Sequence, residues 1–175
     1  MIRILGVDPG LAETGFGIID AGASKLVYVT HGVISTPADM NPGMRLQCIY
    51  DKLAAVIKKY SPAEAGIENL YFAKNITSAL PVAQARGVVL LLLSQKELFA
   101  EGYSPLVIKK AIVGHGRADK NQVQEMVSFL LHLKEIPRPD HAADALAAAI
   151  CHANIRGASE ALKKTTQGRR HDKQS

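Results

Sequence analysis

A short apolar run that ends in an acid constrains the fold of this chain more than any other feature. Residues 4–7 read Ile-Leu-Gly-Val and are followed by Asp8, Pro9 and Gly10. A near-continuous apolar run suits a strand that is covered on both faces of a sheet, and the Pro-Gly pair indicates a turn directly after it. We therefore predict a buried strand whose last residue, Asp8, lies at the edge of the sheet.

Two further segments place acids at the end of a predicted element. Residues 64–68 form a strand-like run that ends in Glu68, and residues 140–144 read Asp-His-Ala-Ala-Asp at the start of a predicted helix. Hard oxygen ligands held on rigid elements are what a magnesium-dependent phosphoryl-transfer site requires. The three segments together favour an enzyme with a Mg2+ site.

Composition excludes several classes of protein. A chain of 175 residues with 47% hydrophobic residues is long and apolar enough for one globular domain with a substantial core. Cys48 and Cys151 both fall within apolar helical patterns, which favours buried free thiols over a disulfide or a metal site. The longest apolar run, residues 88–93, is far shorter than the ~20 residues of a membrane span, and the N-terminus resembles a strand rather than a signal peptide. We expect a cytoplasmic protein.

The formal net charge of +5 is weak evidence for nucleic-acid binding. Residues 163–175 hold five basic residues and one acid, a net +4, which leaves +1 for the rest of the chain. A short basic tail is typically solvated and disordered, and non-specific attraction to phosphates is the functional alternative. We predict one domain over residues 1–156 and a disordered basic tail over residues 157–175.

The first half of the chain predicts how two of the acids meet. Residues 15–20 and 26–34 are the second and third strands, joined to the first by short turns, and residues 44–60 have helical spacing. A helix after the third strand permits a fourth strand that runs parallel to the first and beside it. Asp8 and Glu68 would then emerge at the same edge of the sheet.

The second half is predicted to be mainly helical. The pattern is helical from residue 76 or 77 to about residue 100. Its middle, residues 87–93, is too apolar for a helix with one solvent-exposed face. We interpret it as a core helix buried on several sides, with a dimer interface as the alternative. The remaining predicted elements are a strand over 103–107, a helix over 109–113, a helix over 120–133 capped by Asp119, and a last helix from 140 or 141 to about 156.

Seven motifs, taken together, point to a known family. They are Gly-Val-Asp-Pro-Gly at 6–10, Thr-Gly-Phe-Gly at 14–17, Ile-Glu-Asn-Leu-Tyr-Phe-Ala-Lys-Asn at 67–75, Gln-Ala-Arg-Gly at 84–87, Val-Gly-His-Gly at 113–116, Lys-Asn-Gln-Val-Gln at 120–124 and Asp-Ala-Leu-Ala at 144–147. In joint order and spacing the chain resembles the RuvC family of bacterial Holliday junction resolvases, to about residue 155. The resemblance implies an α/β, ribonuclease H-like fold with a five-stranded mixed sheet flanked by helices.

The resemblance also implies a metal site. It carries the four metal-site residues of the family to Asp8, Glu68, His141 and Asp144. Asp8 would bridge two Mg2+ ions, typically ~3.5–4 Å apart, with Glu68 completing one coordination sphere and His141 with Asp144 the other. One ion would lower the pKa of the attacking water and the other would stabilise the departing 3′ oxygen. Mn2+ is expected to substitute.

The third position of this set departs from the commoner family pattern. Many members have aspartate where this chain has His141, although histidine occurs in part of the family, and an extra acid, Asp140, precedes it. On one helix Asp140 and His141 both lie near the face of Asp144, at i,i+4 and i,i+3. We expect His141 to be a ligand rather than a solvated histidine. We expect Asp140 to be an N-cap whose carboxylate accepts backbone N–H groups, with a ligand role as the alternative.

Two lysines match basic residues that the family places near the scissile phosphate. They are Lys109 and Lys120, whose ammonium groups would offset developing negative charge. A surface lysine without a partner is the alternative for each, and Lys110 could take the place of Lys109.

Besides Lys109 and Lys120, four residues are candidates for contact with DNA. Tyr71 aligns with the aromatic of the family that stacks on an unpaired base at the branch point, whereas Phe72 is either a second aromatic contact or an anchor for its loop. Lys74 and Arg86 are expected to meet phosphates.

The implied function is structure-specific cleavage of four-way DNA junctions in recombination and repair, by paired symmetric nicks. A two-fold homodimer would place one site on each of two opposed strands, and kinship implies a complex with the RuvA-RuvB branch-migration proteins. A non-catalytic junction-binding module and a nuclease for another branched or RNA-containing substrate are the alternatives. The ATPase fold of actin and hexokinase has a similar first turn, but it needs a second lobe that 175 residues cannot supply.

Overall fold

The computed structural model of the protein describes residues 1–23, 25–69 and 76–171, without the side chains of residues 76–78, 160 and 162–171. Within these ranges it has five strands and five helices. They are β1 Ile2–Asp8, β2 Glu13–Ala21, β3 Leu26–Ser35, α1 Pro42–Tyr60, β4 Glu64–Glu68, α2 Ile76–Gln95, β5 Phe99–Tyr103, α3 Pro105–Val113, α4 Lys120–Leu130 and α5 Asp140–His171.

The strands form one mixed sheet in the order β3-β2-β1-β4-β5. β1, β2 and β3 are antiparallel neighbours, while β4 runs parallel to both β1 and β5. Val7 pairs with Ile67, so Asp8 and Glu68 are the next residues at the same edge of the sheet. The predicted five-stranded mixed sheet flanked by helices is confirmed.

The alternation of side chains along β1 decides which helices each residue meets. Leu5 and Val7 belong to the core beneath α1 and α2, whereas Ile4 belongs to the core beneath α3, α4 and α5. Successive side chains of a strand point to opposite faces, so Asp8 lies on the same face as Ile4. The acid at the end of β1 therefore faces the layer that contains α5.

Glycines on this face let α5 lie directly on the sheet. A Cβ at Gly6 would overlap the carbonyl oxygen of Ala145, and a Cβ at Gly66 would lie 2.6 Å from the carbonyl oxygen of Ala148. Because real Cβ atoms do not approach backbone so closely, only glycine permits this packing. The alanine-rich first half of α5 and the glycines of β1 and β4 are complementary halves of one contact.

The boundary between α2 and β5 differs from the prediction. α2 ends at Gln95 and β5 occupies Phe99–Tyr103, whereas the sequence pattern predicted helix to about residue 100 and strand over 103–107. Glu97 has a φ of 52°, a left-handed conformation that turns the chain without glycine. The following helix starts earlier than predicted, at Pro105, with Ser104 as its N-cap.

The expectation that α2 is buried on several sides is wrong for a single chain. One face of the helix is buried and the other is open to solvent. The buried hydrophobic residues are Ala79, Ala85, Val89, Leu92 and Leu93, and the exposed large hydrophobic residues are Leu80, Leu90 and Leu91, at 59%, 37% and 54%. The helix thus presents an unpartnered apolar face.

The last two helices also differ from the prediction at their C-termini. α4 begins after its predicted cap, Asp119, but ends at Leu130 instead of residue 133. α5 continues to His171 instead of ending near residue 156, and it passes through Gly157 although glycine costs a helix ~1 kcal/mol relative to alanine. The division between a domain over 1–156 and a tail over 157–175 stays a prediction.

Two expectations from composition can be compared with the structure. Cys48 and Cys151 are free thiols, with Cys151 fully buried and Cys48 partly so. Among the described residues, no helix is both long and apolar enough to cross a membrane.

Candidate active site

The start of α5 lies across the carboxyl ends of β1 and β4. A Cβ at Gly15 would overlap the carbonyl oxygen of His141, so the first turn of the helix rests on β2 beside the end of β1. Nδ1 of His141 lies 2.6 Å from Oδ2 of Asp8. Ligand atoms of Asp8, His141 and Asp144 all lie within 4.8 Å of one another. The fold therefore brings three of the four predicted metal-site residues into one cluster.

Glu68, the fourth predicted residue, is held close to this negative cluster. Burial raises the pKa of Glu68 to about 8, and the charges of Asp8 and Asp144 add to the rise. A cavity of about 210 Å³ is lined by Glu68 and Asp144 together with both predicted lysines, Lys109 and Lys120. Glu68 and Asp144 thus line the same cavity as the two lysines.

The pKa values of His141 and Asp144, at the start of α5, are also shifted. The hydrogen bond to Asp8 raises the pKa of His141 against the opposing effect of burial. Burial raises the pKa of Asp144, with the charge of Asp8 adding to the rise and Lys120 opposing it. Acids that destabilise each other's charged forms in a partly buried cluster are typical of catalytic and metal-binding sites.

The structure distinguishes the two candidate lysines of α3, Lys109 and Lys110. It also shows two carboxylate partners for Lys120. Lys109 lines the cavity, whereas Lys110 is exposed and does not line it. Nζ of Lys120 lies 3.1 Å from Oδ2 of Asp140 and 3.3 Å from Oδ2 of Asp144. Burial lowers the pKa of Lys120, but these two carboxylates outweigh it and the pKa is raised. The alternative of a surface lysine without a partner is wrong for Lys120.

Asp140 differs from the N-cap that the sequence predicted. It is the first residue of α5, and the N–H groups of Ala142 and Ala143 donate to the carbonyl oxygen of Pro139. The described contacts of the Asp140 carboxylate are all with side chains. They are Lys120 at 3.1 Å, Gln124 at 3.1 Å and Arg138 at 2.7 Å. Asp140 also lies outside the cluster of Asp8, His141 and Asp144.

Only part of the predicted DNA-contacting set can be placed. Arg86 lies on α2, and its guanidinium donates at 2.7 Å to Oδ1 of Asn69, the residue directly after Glu68. Arg86 is therefore tied to the end of β4. Tyr71, Phe72 and Lys74 lie outside the described residues.

Sequence reasoning did not single out Glu13 as part of this site. Oε2 of Glu13 lies 3.7 Å from Nε2 of His141, on the side of the ring opposite to Asp8. The hairpin register could have indicated it, because Asp8 pairs with Gly15 and Glu13 starts the same strand two residues earlier.

The strand order, the helices on both faces and the acids at adjacent strand ends define a ribonuclease H-like domain. A structural comparison supports this class. RuvC from Thermus thermophilus, solved in complex with a Holliday junction substrate, matches with a TM-score of 0.86 and 32% sequence identity, covering 91% of this chain and 97% of that chain.

Sequence comparisons give the family within this class. The model of the family described as crossover junction endodeoxyribonuclease RuvC matches residues 4–152. RuvC from Treponema denticola is 55% identical over 152 residues, covering 87% of this chain and 85% of the relative. RuvC from Treponema pallidum is 49% identical over 166 residues, covering 95% and 85%. The chain belongs to the RuvC family of crossover junction endodeoxyribonucleases, the Holliday junction resolvases, and the resemblance seen in its motifs is confirmed.

Proposed function

We propose that this protein resolves four-way DNA junctions in recombination and repair by metal-dependent hydrolysis of phosphodiester bonds. The observation that carries the proposal is the convergence of Asp8, Glu68, His141 and Asp144 where α5 crosses the ends of β1 and β4. This convergence occurs in a chain of the RuvC family, and a relative of the same fold has been solved with a Holliday junction.

The donor set suits Mg2+, which we propose as the cofactor with two ions per subunit. Three carboxylates supply the hard oxygen ligands that Mg2+ prefers, and Mn2+ is expected to accept the same set. Burial raises the pKa of Glu68 and the charges of Asp8 and Asp144 add to the rise, and divalent cations would offset these negative charges. Bound Mg2+ would supply a coordinated water of lowered pKa and would stabilise the departing 3′ oxygen, so that hydrolysis would leave 5′-phosphate and 3′-hydroxyl ends.

The protein side chains have distinct roles in this proposal. Asp8 and Glu68 would hold metal from the sheet, and His141 and Asp144 would hold it from α5. Lys120 is kept cationic by its two carboxylates, and with Lys109 it offsets charge that develops on the scissile phosphate.

We propose that Tyr71, Phe72, Lys74 and Arg86 contact the DNA. Tyr71 would stack on an unpaired base at the branch point, with Phe72 either beside it or anchoring the loop, and Lys74 would contact a phosphate. Arg86, whose guanidinium donates to Asn69 directly after Glu68, would position a phosphate.

We propose that the active form is a homodimer that makes paired, symmetric nicks. The exposed leucines of α2, Leu80, Leu90 and Leu91, provide an apolar face that a second copy could cover. A two-fold dimer would present one site to each of two opposed strands of the junction. From family membership we further propose that the protein acts on DNA in the cytoplasm, with RuvA-RuvB as partner.

One experiment tests the central proposal. The protein is incubated with a synthetic mobile four-way junction, with and without Mg2+, and nicks are mapped on all four strands. We expect nicks only with Mg2+, at symmetric positions on two opposed strands. Binding without nicking would instead support a non-catalytic junction-binding module. Faster cleavage of another branched or RNA-containing substrate would identify a different nuclease activity.

A further inference from the structure

Lys120 is held between two carboxylates of different kinds. Asp144 belongs to the cluster that we propose to bind metal, whereas Asp140 lies outside it. The side chain of Lys120 is 51% exposed, so packing alone does not fix the position of its ammonium group. The carboxylates that contact Nζ therefore decide where the charge lies.

The two oxygens of Asp140 have separate tasks. Oδ1 accepts hydrogen bonds from the Gln124 side-chain amide at 3.1 Å and from Arg138 at 2.7 Å. Oδ2 contacts Nζ of Lys120 at 3.1 Å. With Oδ1 held by two donors, the orientation of the carboxyl group is set, and Oδ2 faces the lysine.

Gln124 makes this arrangement rigid. It is 2% exposed, and it follows Lys120 by four residues on α4, so both side chains lie on the same face of the helix. The buried amide ties Asp140 to α4, and Asp140 in turn contacts the lysine one turn earlier. The start of α5 and the start of α4 are thereby joined at the edge of the site.

We propose that Asp140 is a positioning residue that holds the ammonium group of Lys120 at the scissile phosphate, with Gln124 fixing the orientation of Asp140. This inference rests on the proposed function. A cation bound to Asp144 would compete with Lys120 for the same carboxylate, which would leave Asp140 as the contact of the lysine. It therefore holds the lysine in the metal-loaded site, where the charge is needed.

The substitution Asp140→Asn separates the two tasks of the carboxylate. Gln124 and Arg138 both donate, so they select the amide orientation that places the Asn oxygen where Oδ1 was. The amide nitrogen then replaces Oδ2 and faces the ammonium group of Lys120, donor against donor. The substitution preserves the shape of the side chain and its hydrogen bonds to Gln124 and Arg138, and it removes the negative charge and the contact with the lysine. Asp20→Asn is a matched control, because Asp20 pairs with Arg3 at 2.8 Å at the opposite end of β1.

Single-turnover nicking of a junction provides the first measurement. We expect Asp140→Asn to lower the cleavage rate of bound junction by roughly 10- to 100-fold, the cost of a misplaced catalytic group, with unchanged junction affinity. In a Lys120→Ala background the same substitution should change the rate by less than about twofold, because its effect passes through the lysine. Asp20→Asn should leave the rate unchanged. Equal effects of Asp140→Asn in both backgrounds would overturn the proposal.

The Mg2+ dependence distinguishes positioning from ligation. If Asp140 positions Lys120, the Mg2+ concentration at half-maximal rate is the same in Asp140→Asn as in the unsubstituted protein, while it rises in His141→Ala. An equal rise in both variants would make Asp140 a ligand and contradict the inference.

A readout that needs no activity completes the test. Side-chain 15N relaxation of lysine NH3+ groups reports how rigidly each ammonium is held, and the Lys120 signal is assigned by its loss in Lys120→Ala. Measured on the full chain with Mg2+, this signal should show a clear loss of order in Asp140→Asn and none in Asp20→Asn. An unchanged Lys120 signal overturns the proposal. A protein that nicks no junction would overturn the proposed function instead, and the relaxation data would still decide whether Asp140 holds Lys120.

Discussion

Nδ1 of His141 and Oδ2 of Asp8 lie 2.6 Å apart, which joins the first turn of α5 to the last residue of β1 across 133 positions of sequence. The contact is short enough to be a charge-assisted hydrogen bond, and it raises the pKa of the imidazole. It shows that α5 presents His141, rather than the preceding acid, to the end of the sheet.

We predict that Asp8→Asn abolishes cleavage but leaves junction binding intact. Binding depends on phosphates and branch shape, whereas Asp8 serves the metals. A gel shift and a nicking assay on the same preparation check this. Retained nicking would remove Asp8 from the site.

His141→Ala is expected to lower Mg2+-dependent turnover by at least about 100-fold, because loss of a residue that only supports a ligand already costs 10- to 100-fold. His141→Asp, which restores the commoner family arrangement, should keep most of the activity. Turnover of the two variants over a range of Mg2+ concentrations makes the comparison. Equal activity in all three proteins would mean that His141 binds no metal.

The contribution of Glu68 to the stability of the metal-free protein should fall as pH rises from about 4.5 to about 8. The folded-state pKa of Glu68 lies above its ordinary value of 4.5, so the folded state binds this proton more tightly than the unfolded state does. The stabilisation that Glu68 contributes is fully present below pH 4.5 and is lost as pH rises through about 8. Glu68→Gln should therefore stabilise the protein at pH 9 in EDTA, on the order of a few kcal/mol. Thermal unfolding across this range is the measurement.

Glu64, at the other end of the same strand, is the matched control with the opposite sign. Burial alone would raise its pKa, but hydrogen bonds from His152 and Arg156 outweigh burial and lower the pKa. The stabilisation that the Glu64 carboxylate contributes is present above its ordinary pKa and is lost as pH falls. Glu64→Gln should thus destabilise the protein at neutral pH, and identical pH profiles for the two variants would contradict both assignments.

Gly6→Ala is expected to destabilise the fold by about 1–3 kcal/mol or more, because its methyl group would overlap the backbone of Ala145. It should also reduce cleavage, since displacement of α5 moves His141 and Asp144. Gly157 lies in α5, and nothing lies within 4 Å of a Cβ added there. Gly157→Ala should therefore be neutral or stabilising by up to about 1 kcal/mol. Chemical denaturation compares the two. A Gly6→Ala protein as stable as the parent would refute the close contact.

Tyr71 is predicted to stack on a base at the branch point, a contact worth ~1–3 kcal/mol per base. Tyr71→Phe should retain cleavage because the ring survives, and Tyr71→Ala should lose cleavage without loss of stability. A 2-aminopurine at the branch point reports stacking directly through its fluorescence. A fall in stability of ~3–5 kcal/mol in Tyr71→Ala would instead identify a core residue.

The sequence alone predicted the sheet and two of its acids because the relevant signals are local. One strand ends in Asp8 and another in Glu68, and a helix precedes the second strand. A helical connection favours two parallel neighbouring strands, which places both acids at one edge of the sheet. The prediction failed between α2 and β5, where Lys96, Glu97 and Leu98 contain no glycine or proline. There the turn is imposed by pairing of β5 with β4, a long-range contact that no local pattern records.

The start of α5 shows most clearly what only the tertiary structure decided. Helical spacing placed Asp140 and His141 near one face with Asp144 and left the choice between them open, while the family resemblance favoured His141. Close packing of α5 on Gly15 and Gly6 fixes the rotation of the helix, and that rotation turns His141 to Asp8 and Asp140 to Lys120. Residue types determined which groups were available, whereas the packing of backbone against glycine determined which of them meet.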